Sequence, residues 1–356
     1  MGYITPQFCG GSFKINNESS VKCSEKQSCR LDWRALAEKA LTSTGITRGE
    51  ALAVLRADES DLLEILAAAY RLRRETFGRS VNLHVIQNAR SGSCSENCGF
   101  CSQSAVSKAG IGHYPLRSAE EIAAGARQAD KMNAAKYCIV TSGRAPAEDA
   151  VETMCAAARQ IRAEGIKLSI CVSMGLASAE QLRRLAKAGV NRYNHNLETA
   201  RRFFPEICST HSYDERAATV RMAKAAGLEV CCGGIIGLGE SLEDRVELAF
   251  ELRELGVDSI PVNLFNPRPG TPFEKKPPLA ALAALRALAM FRFVNPRRDI
   301  RAAGGREACL GPLQPLALFA ANSVFTEGYL TTAGQGYSRD MEIIRSLGFE
   351  VGRIEA

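Results

Sequence analysis

The chain is predicted to fold as a TIM-type (β/α)8 barrel with an N-terminal helical extension, and three observations carry that expectation. Eight short runs of β-type residues recur, at 81–88, 136–140, 167–172, 192–197, 229–236, 259–264, 299–304 and 322–326. Most are separated by stretches long enough for a crossover helix, at 119–132, 148–164, 178–188, 213–226, 242–255 and 279–293, and strands alternating with such helices build a parallel sheet. Finally, 356 residues with 46% hydrophobic content can bury one large core, and α/β barrels reach this length as one domain. An open or partial barrel would show the same alternation; eight units favour the closed form.

Taken in order, the chain begins with a segment unlike the rest. Gly, Ser, Asn and charged residues dominate from Gly10 to Ser28, so residues 1–30 are expected to be a disordered tail. Its Cys9, Cys23 and Cys29 lack tight ligand spacing and read as incidental, the alternative being delivery of metal or sulfur. From Asp32, apolar residues fall at helical spacing in Leu36 and Ala40, in Leu52 and Leu55, and in Leu62, Ile65 and Leu66. This helical lead-in ends near Gly78 and joins the barrel in one domain, 31–356. The formal net charge of +6, from 45 basic and 39 acidic residues, is spread without a basic stripe, which argues against a nucleic-acid partner and leaves anionic small molecules as a sufficient reason for it. No apolar run approaches the roughly 20 residues of a membrane span, and the polar N-terminus lacks a secretory core. A cytoplasmic protein with no membrane partner is expected, where thirteen cysteines read as metal or catalytic ligands rather than disulfides.

Directly after the first predicted strand, at the rim where barrel enzymes place their chemistry, Cys94, Cys98 and Cys101 stand in CxxxCxxC spacing. Three thiolates can hold three corners of a four-iron cluster and leave the fourth iron open to a ligand. Structural zinc normally takes four protein ligands, and His84 or His113 could complete such a site. Further candidates lie inside or at the ends of later strands: Cys138, Cys171, the run Asn194-His195-Asn196-Leu197-Glu198, Cys231, Asn263 and Arg301. A barrel would converge them, although a buried thiol also packs well as a small core residue. Of Cys231 and its neighbour Cys232, one alone can face the lumen. Cys155, Cys208 and Cys309 look like packing residues, and His195 reads as a hydrogen-bonded structural residue.

Phe100 before the third cysteine, with the flanks Asn88-Ala-Arg-Ser-Gly and Cys101-Ser-Gln-Ser, resembles the radical S-adenosylmethionine enzymes, and the biotin synthase family in particular, over about residues 75 to 350. The resemblance implies a 4Fe-4S cluster on Cys94, Cys98 and Cys101, with S-adenosylmethionine at its open iron. It also implies an auxiliary cluster, of the 2Fe-2S type, on Cys138, Cys171, Cys231 and Arg301. The segment Gly233-Gly-Ile-Ile-Gly-Leu-Gly-Glu240 is similar to a glycine-rich strand end at which Gly233 and Gly237 let backbone approach the nucleoside. Asn196 and Glu198 correspond to residues beside cofactor and substrate, a carboxylate being able to accept both ribose hydroxyls. Arg216 corresponds to an arginine that pairs with the methionine carboxylate; by itself it also fits a solvated helix face. Asn196 and Asn263 match residues that bond the substrate's ureido group, and Thr331 and Thr332 those near its carboxylate. The chain departs from the commoner family pattern at Ser95, Asn97, Glu198 and the run Arg301-Ala-Ala-Gly-Gly-Arg306.

The implied activity is conversion of dethiobiotin to biotin. An unactivated C–H bond cannot be deprotonated, so sulfur insertion requires hydrogen-atom abstraction, supplied by reductive cleavage of S-adenosylmethionine; the auxiliary cluster is the implied sulfur source. Implied partners are dethiobiotin, an electron donor such as flavodoxin or ferredoxin, iron–sulfur assembly proteins, and a second copy of the chain in a homodimer. Two alternatives stand beside this: another radical enzyme of similar architecture, such as a hydrogenase-cofactor maturase or an amino-acid mutase, and a zinc-stabilised scaffold without activity.

Overall fold

The computed structural model describes residues 31–352; Cys9, Cys23 and Cys29 lie outside them. The lead-in is three helices, α1 (Trp33–Ala40), α2 (Arg48–Arg56) and α3 (Leu62–Phe77). Thr47 and Glu50 form a capping box at the start of α2, satisfying two otherwise orphaned backbone donors. Gly78 closes α3 at a φ of 55°, a conformation that favours glycine.

The barrel follows: β1 (Ser80–Arg90), α4 (Ala119–Lys131), β2 (Lys136–Thr141), α5 (Glu148–Ala163), β3 (Ser169–Ser173), α6 (Ala179–Lys187), β4 (Arg192–Asn194) and α7 (Tyr213–Ala225). It continues with β5 (Glu229–Cys231), β6 (Gly234–Ile236), α8 (Leu242–Glu254), β7 (Ser259–Leu264), α9 (Ala281–Val294), β8 (Asp299–Ala302), α10 (Arg306–Leu310), α11 (Gln314–Ala317), β9 (Ser323–Thr326), α12 (Tyr337–Ser346) and β10 (Glu350–Val351). The pairings run β1-β2-β3-β4-β5-β7-β8-β9, all parallel, and β9 returns to β1 with Asn82–Val85 opposite Ser323–Thr326. The barrel is therefore closed, as expected. Strand β10 adds to the start of β1 at Ser80 and Val81, outside the ring.

The run expected as one strand over 229–236 is two. The break falls at Cys232 and Gly233, opposite Pro261 of β7, which has no N–H to give to a ladder. A Cβ on Gly233 would lie 2.0 Å from the Pro261 carbonyl oxygen, so only glycine lets the two backbones meet there. Strand β4 also ends earlier than expected, at Asn194. Beyond it His195 and Leu197 still donate to Cys231 and Gly233, while Glu198 turns to a φ of 70°.

Four crossover helices start on capping boxes: Ser118 with Glu121, Ser178 with Gln181, Ser212 with Glu215 and Ser241 with Asp244. Each cap contributes on the order of 1 kcal/mol and fixes where the loop above its strand ends. At the opposite face, two fully buried guanidiniums tie the structure together. Arg73 donates to the carbonyls of Gly78, Ser80 and Ala321, and Arg292 to those of Ala320, Pro296 and Arg298 and to Asn322 Oδ1. Burial lowers their pKa values to about 10 and about 9. Both stay charged at neutral pH, with the donors satisfied as a buried cation requires. Among the described residues, no helix is long and apolar enough to cross a membrane.

Candidate active site

The triad rides on the loop between β1 and α4, which is pinned by its own backbone and by distant segments. Ser91 and Tyr114 close its neck as an antiparallel bridge. Within it Cys101 N donates to Cys98 O, Ser104 N to Cys101 O and Ala105 N to Glu96 O, while Gly99 N reaches Ile207 O. Gln103 Oε1 accepts from Gly92 N and from Asn88 Nδ2. These bonds turn Cys94, Cys98 and Cys101 toward one cleft, shared with Phe100, Asn196, Glu198, His211 and Arg216.

The three thiols fit a multi-iron group. They share the cleft, and each is close enough to be felt by another: burial and the Cys94 thiolate push Cys101 up to about 11. Cys98 is raised as well, chiefly by its hydrogen bond to Cys208, with burial and Cys101 adding to it. Iron bound by the thiolates would relieve that mutual repulsion. Cys208, expected as a packing residue, proves to be a neighbour of the site, its Sγ 3.7 Å from Cys98 Sγ and 3.4 Å from His211 Nδ1. Neither His84 nor His113 lines the cleft of the triad. His84 is fully buried, 3.8 Å from Asp299, and held neutral by burial and by Arg301; His113 packs beside Gly92. His195 and His211 do line it, and His211 is grouped with Cys98 and Cys208. A zinc ion there would compete for a ring whose nitrogens are engaged, Nδ1 with Glu96 and Nε2 with Arg216 Nη1 at 2.7 Å.

Arg216 faces the cleft rather than solvent. It donates from Nε to Asn196 O at 2.5 Å and from Nη2 to Glu198 Oε1 at 2.9 Å. Glu198 also accepts from Asn196 Nδ2 at 3.3 Å, and Asn196 Oδ1 accepts from Gly233 N at 3.1 Å. Burial raises the Glu198 carboxyl, and Arg216 and Asn196 pull against it. The left-handed backbone of Glu198, costing on the order of 1–3 kcal/mol, lets its N–H reach Gly233 O while its C=O takes Ile235 N. His195 lines the same cleft, and among the described residues its Nε2 has no hydrogen-bond partner; burial and Arg216 keep it neutral.

Beneath the cleft lies the second group. Val140 and Ser173 line the cleft from the ends of β2 and β3, and residues two apart share a strand face. Cys138 and Cys171 therefore sit one layer deeper, roughly 6–7 Å down the lumen, directly opposite each other across the two strands. Cys231 and Arg301 join them, both Nη atoms of Arg301 standing 3.8 Å from Cys231 Sγ. All four are at most 2% exposed. The hydrogen bond between Cys138 and Cys171 raises the first and lowers the second, with Cys231 and Arg301 also acting on Cys138. Arg301 Nε has no partner among the described residues. Three soft sulfurs and an incompletely satisfied buried guanidinium suit an iron–sulfur group better than a dry core. Cys232 lies on the other side, felt by Tyr213 of α7.

The remaining expected residues are placed as follows. Asn263 is held at both ends, donating to Gly234 O at 3.1 Å and accepting from Gly304 N at 2.9 Å. Thr331 and Thr332 sit in the turn after β9, where Tyr329 N donates to Thr332 O, and Thr332 lines a separate cavity with Arg268 and Tyr329. Gly233 and Gly237 do not line the cleft of the triad; Gly237, at a φ of 102°, donates to Glu240.

Residues 90–252 match the family model of the Radical SAM superfamily, and residues 261–350 that of the Biotin and Thiamin Synthesis associated domain. The chain is 50% identical over 318 residues to the biotin synthase of Salinibacter ruber, covering 89% of this chain and 88% of that protein. It is 48% identical over 322 residues to the biotin synthase of Bacillus cytotoxicus, covering 90% and 97%. Among solved structures, methylornithine synthase PylB superposes with a TM-score of 0.78 at 22% identity, covering 89% of this chain and 97% of that one. The FeFe-hydrogenase maturase HydG of Carboxydothermus hydrogenoformans gives 0.77 at 16% identity, covering 91% and 80%. These two are likenesses of fold.

Proposed function

The chain belongs to the biotin synthase family of radical S-adenosylmethionine enzymes, which insert sulfur into dethiobiotin to form biotin, and from that premise we propose how its residues divide the work. The observation that carries the proposal is that Cys94, Cys98 and Cys101 open on the same cleft as Asn196, Glu198 and Arg216. The triad would hold the four-iron cluster. With S-adenosylmethionine bound, that group supplies hydrogen-atom abstraction, which no side chain can provide.

The chain's own residues bind and orient. A guanidinium has five N–H groups, and Arg216 gives three to Asn196 O, Glu198 and His211, leaving two for the ligand's carboxylate. Glu198 keeps lone pairs for the ribose hydroxyls, and Asn196, its amide fixed by Gly233 and Glu198, presents a set orientation to the nucleoside and the ureido ring. Gly233 and Gly237 shape the strand end beside them. Asn263 would bond the ureido group, and Thr331 and Thr332 would lie near the substrate carboxylate. Cys138, Cys171, Cys231 and Arg301 would hold the auxiliary two-iron cluster as the store of sulfur. The narrow lumen keeps water out and fixes the reacting carbon, which matters because a displacement of about 1 Å can cost on the order of a hundredfold in rate. Residues 31–356 are proposed as one catalytic domain of a cytoplasmic homodimer, served by flavodoxin or ferredoxin and by iron–sulfur assembly proteins.

Anaerobic incubation of the reconstituted protein with dethiobiotin, S-adenosylmethionine and a reductant, followed by mass analysis, tests this. Biotin is the expected product. Consumption of S-adenosylmethionine with unchanged dethiobiotin would overturn the assignment of the substrate.

A further inference from the structure

The triad loop carries a buried carboxylate that the chemistry above does not use. Glu96, between Cys94 and Cys98, is 5% exposed, and His211, in the turn before α7, is 7% exposed. Glu96 Oε2 accepts from Thr210 Oγ1 at 2.6 Å and meets His211 Nδ1. On the far side of the ring, Nε2 lies 2.7 Å from Arg216 Nη1. A guanidinium can only donate, so Nε2 must accept, and the ring proton sits on Nδ1 facing Glu96; the tautomer is assigned from these partners. Arg216 is thus gripped on three sides, by His211, by Asn196 O and by Glu198.

We infer that Glu96 and His211 are positioning residues, a tether that ties the orientation of Arg216 to the loop bearing the three cysteines and holds its two remaining N–H groups toward the carboxylate of S-adenosylmethionine. The inference rests on the reading that this cleft takes that molecule. The tether sets the distance between the site that receives the carboxylate and the three thiols, because Glu96, 115 residues from His211 in sequence, cannot move without the loop. It predicts a selective defect, in recognition of the amino-acid end of the ligand and not of its nucleoside.

The test is equilibrium binding to the reconstituted full chain of two probes, S-adenosylmethionine and 5′-methylthioadenosine, which shares the nucleoside but lacks the carboxylate. His211→Phe should weaken binding of the first about tenfold or more, as expected for loss of an oriented charge-assisted pair, and leave the second and the iron content unchanged. His211→Gln, which keeps an acceptor for Arg216, should recover most of the loss. Equal binding of S-adenosylmethionine by His211→Phe and the parent, equal loss of both probes, or no rescue by Gln would each overturn the tether while leaving the family reading intact. A parent protein that binds the nucleoside probe and not S-adenosylmethionine would overturn the reading of the cleft itself. Should His211→Phe fail to take up iron, Glu96→Gln reads the same tether through a smaller selective loss, and parent-like binding by that variant would refute it.

Discussion

The two groups of cysteines are built in opposite ways. Cys94, Cys98 and Cys101 sit on a loop, partly exposed, and their mutual placement is set by the loop's own backbone bonds and by its ties to the segment 207–211. Cys138, Cys171 and Cys231 sit on three strands, at most 2% exposed, and their placement is set by strand register around a closed ring. The loop group is suited to meeting a ligand that comes and goes. The strand group, in the dry and rigid lumen, is suited to holding something that must not be lost to solvent.

If that contrast is right, the two groups fail differently. The largest effect is expected from Cys98→Ala. Removing one of three thiolates should abolish cleavage of S-adenosylmethionine, measured as 5′-deoxyadenosine under anaerobic reduction, and biotin formation with it; cleavage at the parent rate would show that the triad does not hold the reactive group. Next come Cys138→Ala, Cys171→Ala and Cys231→Ala, each expected to keep the iron of the triad and its cleavage activity yet make no biotin. Loss of cleavage in all three would mean that the groups are one site, and the comparison would break.

A smaller effect is expected at Arg301. A guanidinium must lose a proton to coordinate iron, and its contacts to Cys231 are long, at 3.8 Å. Arg301→Ala should therefore retain a fraction of the biotin-forming activity. Activity as low as in the cysteine variants would make Arg301 an equal partner in the lumen. The smallest effect is expected from deleting residues 2–29, because the closed ring is built from residues 80–326 and both groups of cysteines lie on it or on its loops. Iron content and turnover should be largely retained, and a large fall in either would give Cys9, Cys23 or Cys29 a role.

The same contrast explains what could be read from the sequence. The eight barrel staves and six of the helices were legible because apolar periodicity is local, and the triad because its spacing is contiguous. The break in the 229–236 run was not, since it depends on Pro261 lying across from Gly233. Arg216 was ambiguous, because a tyrosine, two acids and an arginine at a helix start look the same whether they face water or a cleft. Cys208, Glu96 and His211 went unread as a group: loops carry no periodicity, and only folding brings Glu96 to a residue beyond β4. A hint was present in a single Glu inside the cysteine motif and a His one residue before a capping serine. The lumen set was legible through family resemblance, since no spacing links residues on β2, β3, β5 and β8.

The central claim, that the strand-borne thiols hold the sulfur that enters the product, is tested most directly by isotope. Protein whose lumen site has been reconstituted with heavy sulfide, freed of excess and given S-adenosylmethionine, reductant and dethiobiotin for a single turnover, should release heavy biotin, read by mass spectrometry. Light biotin from such protein would contradict the account.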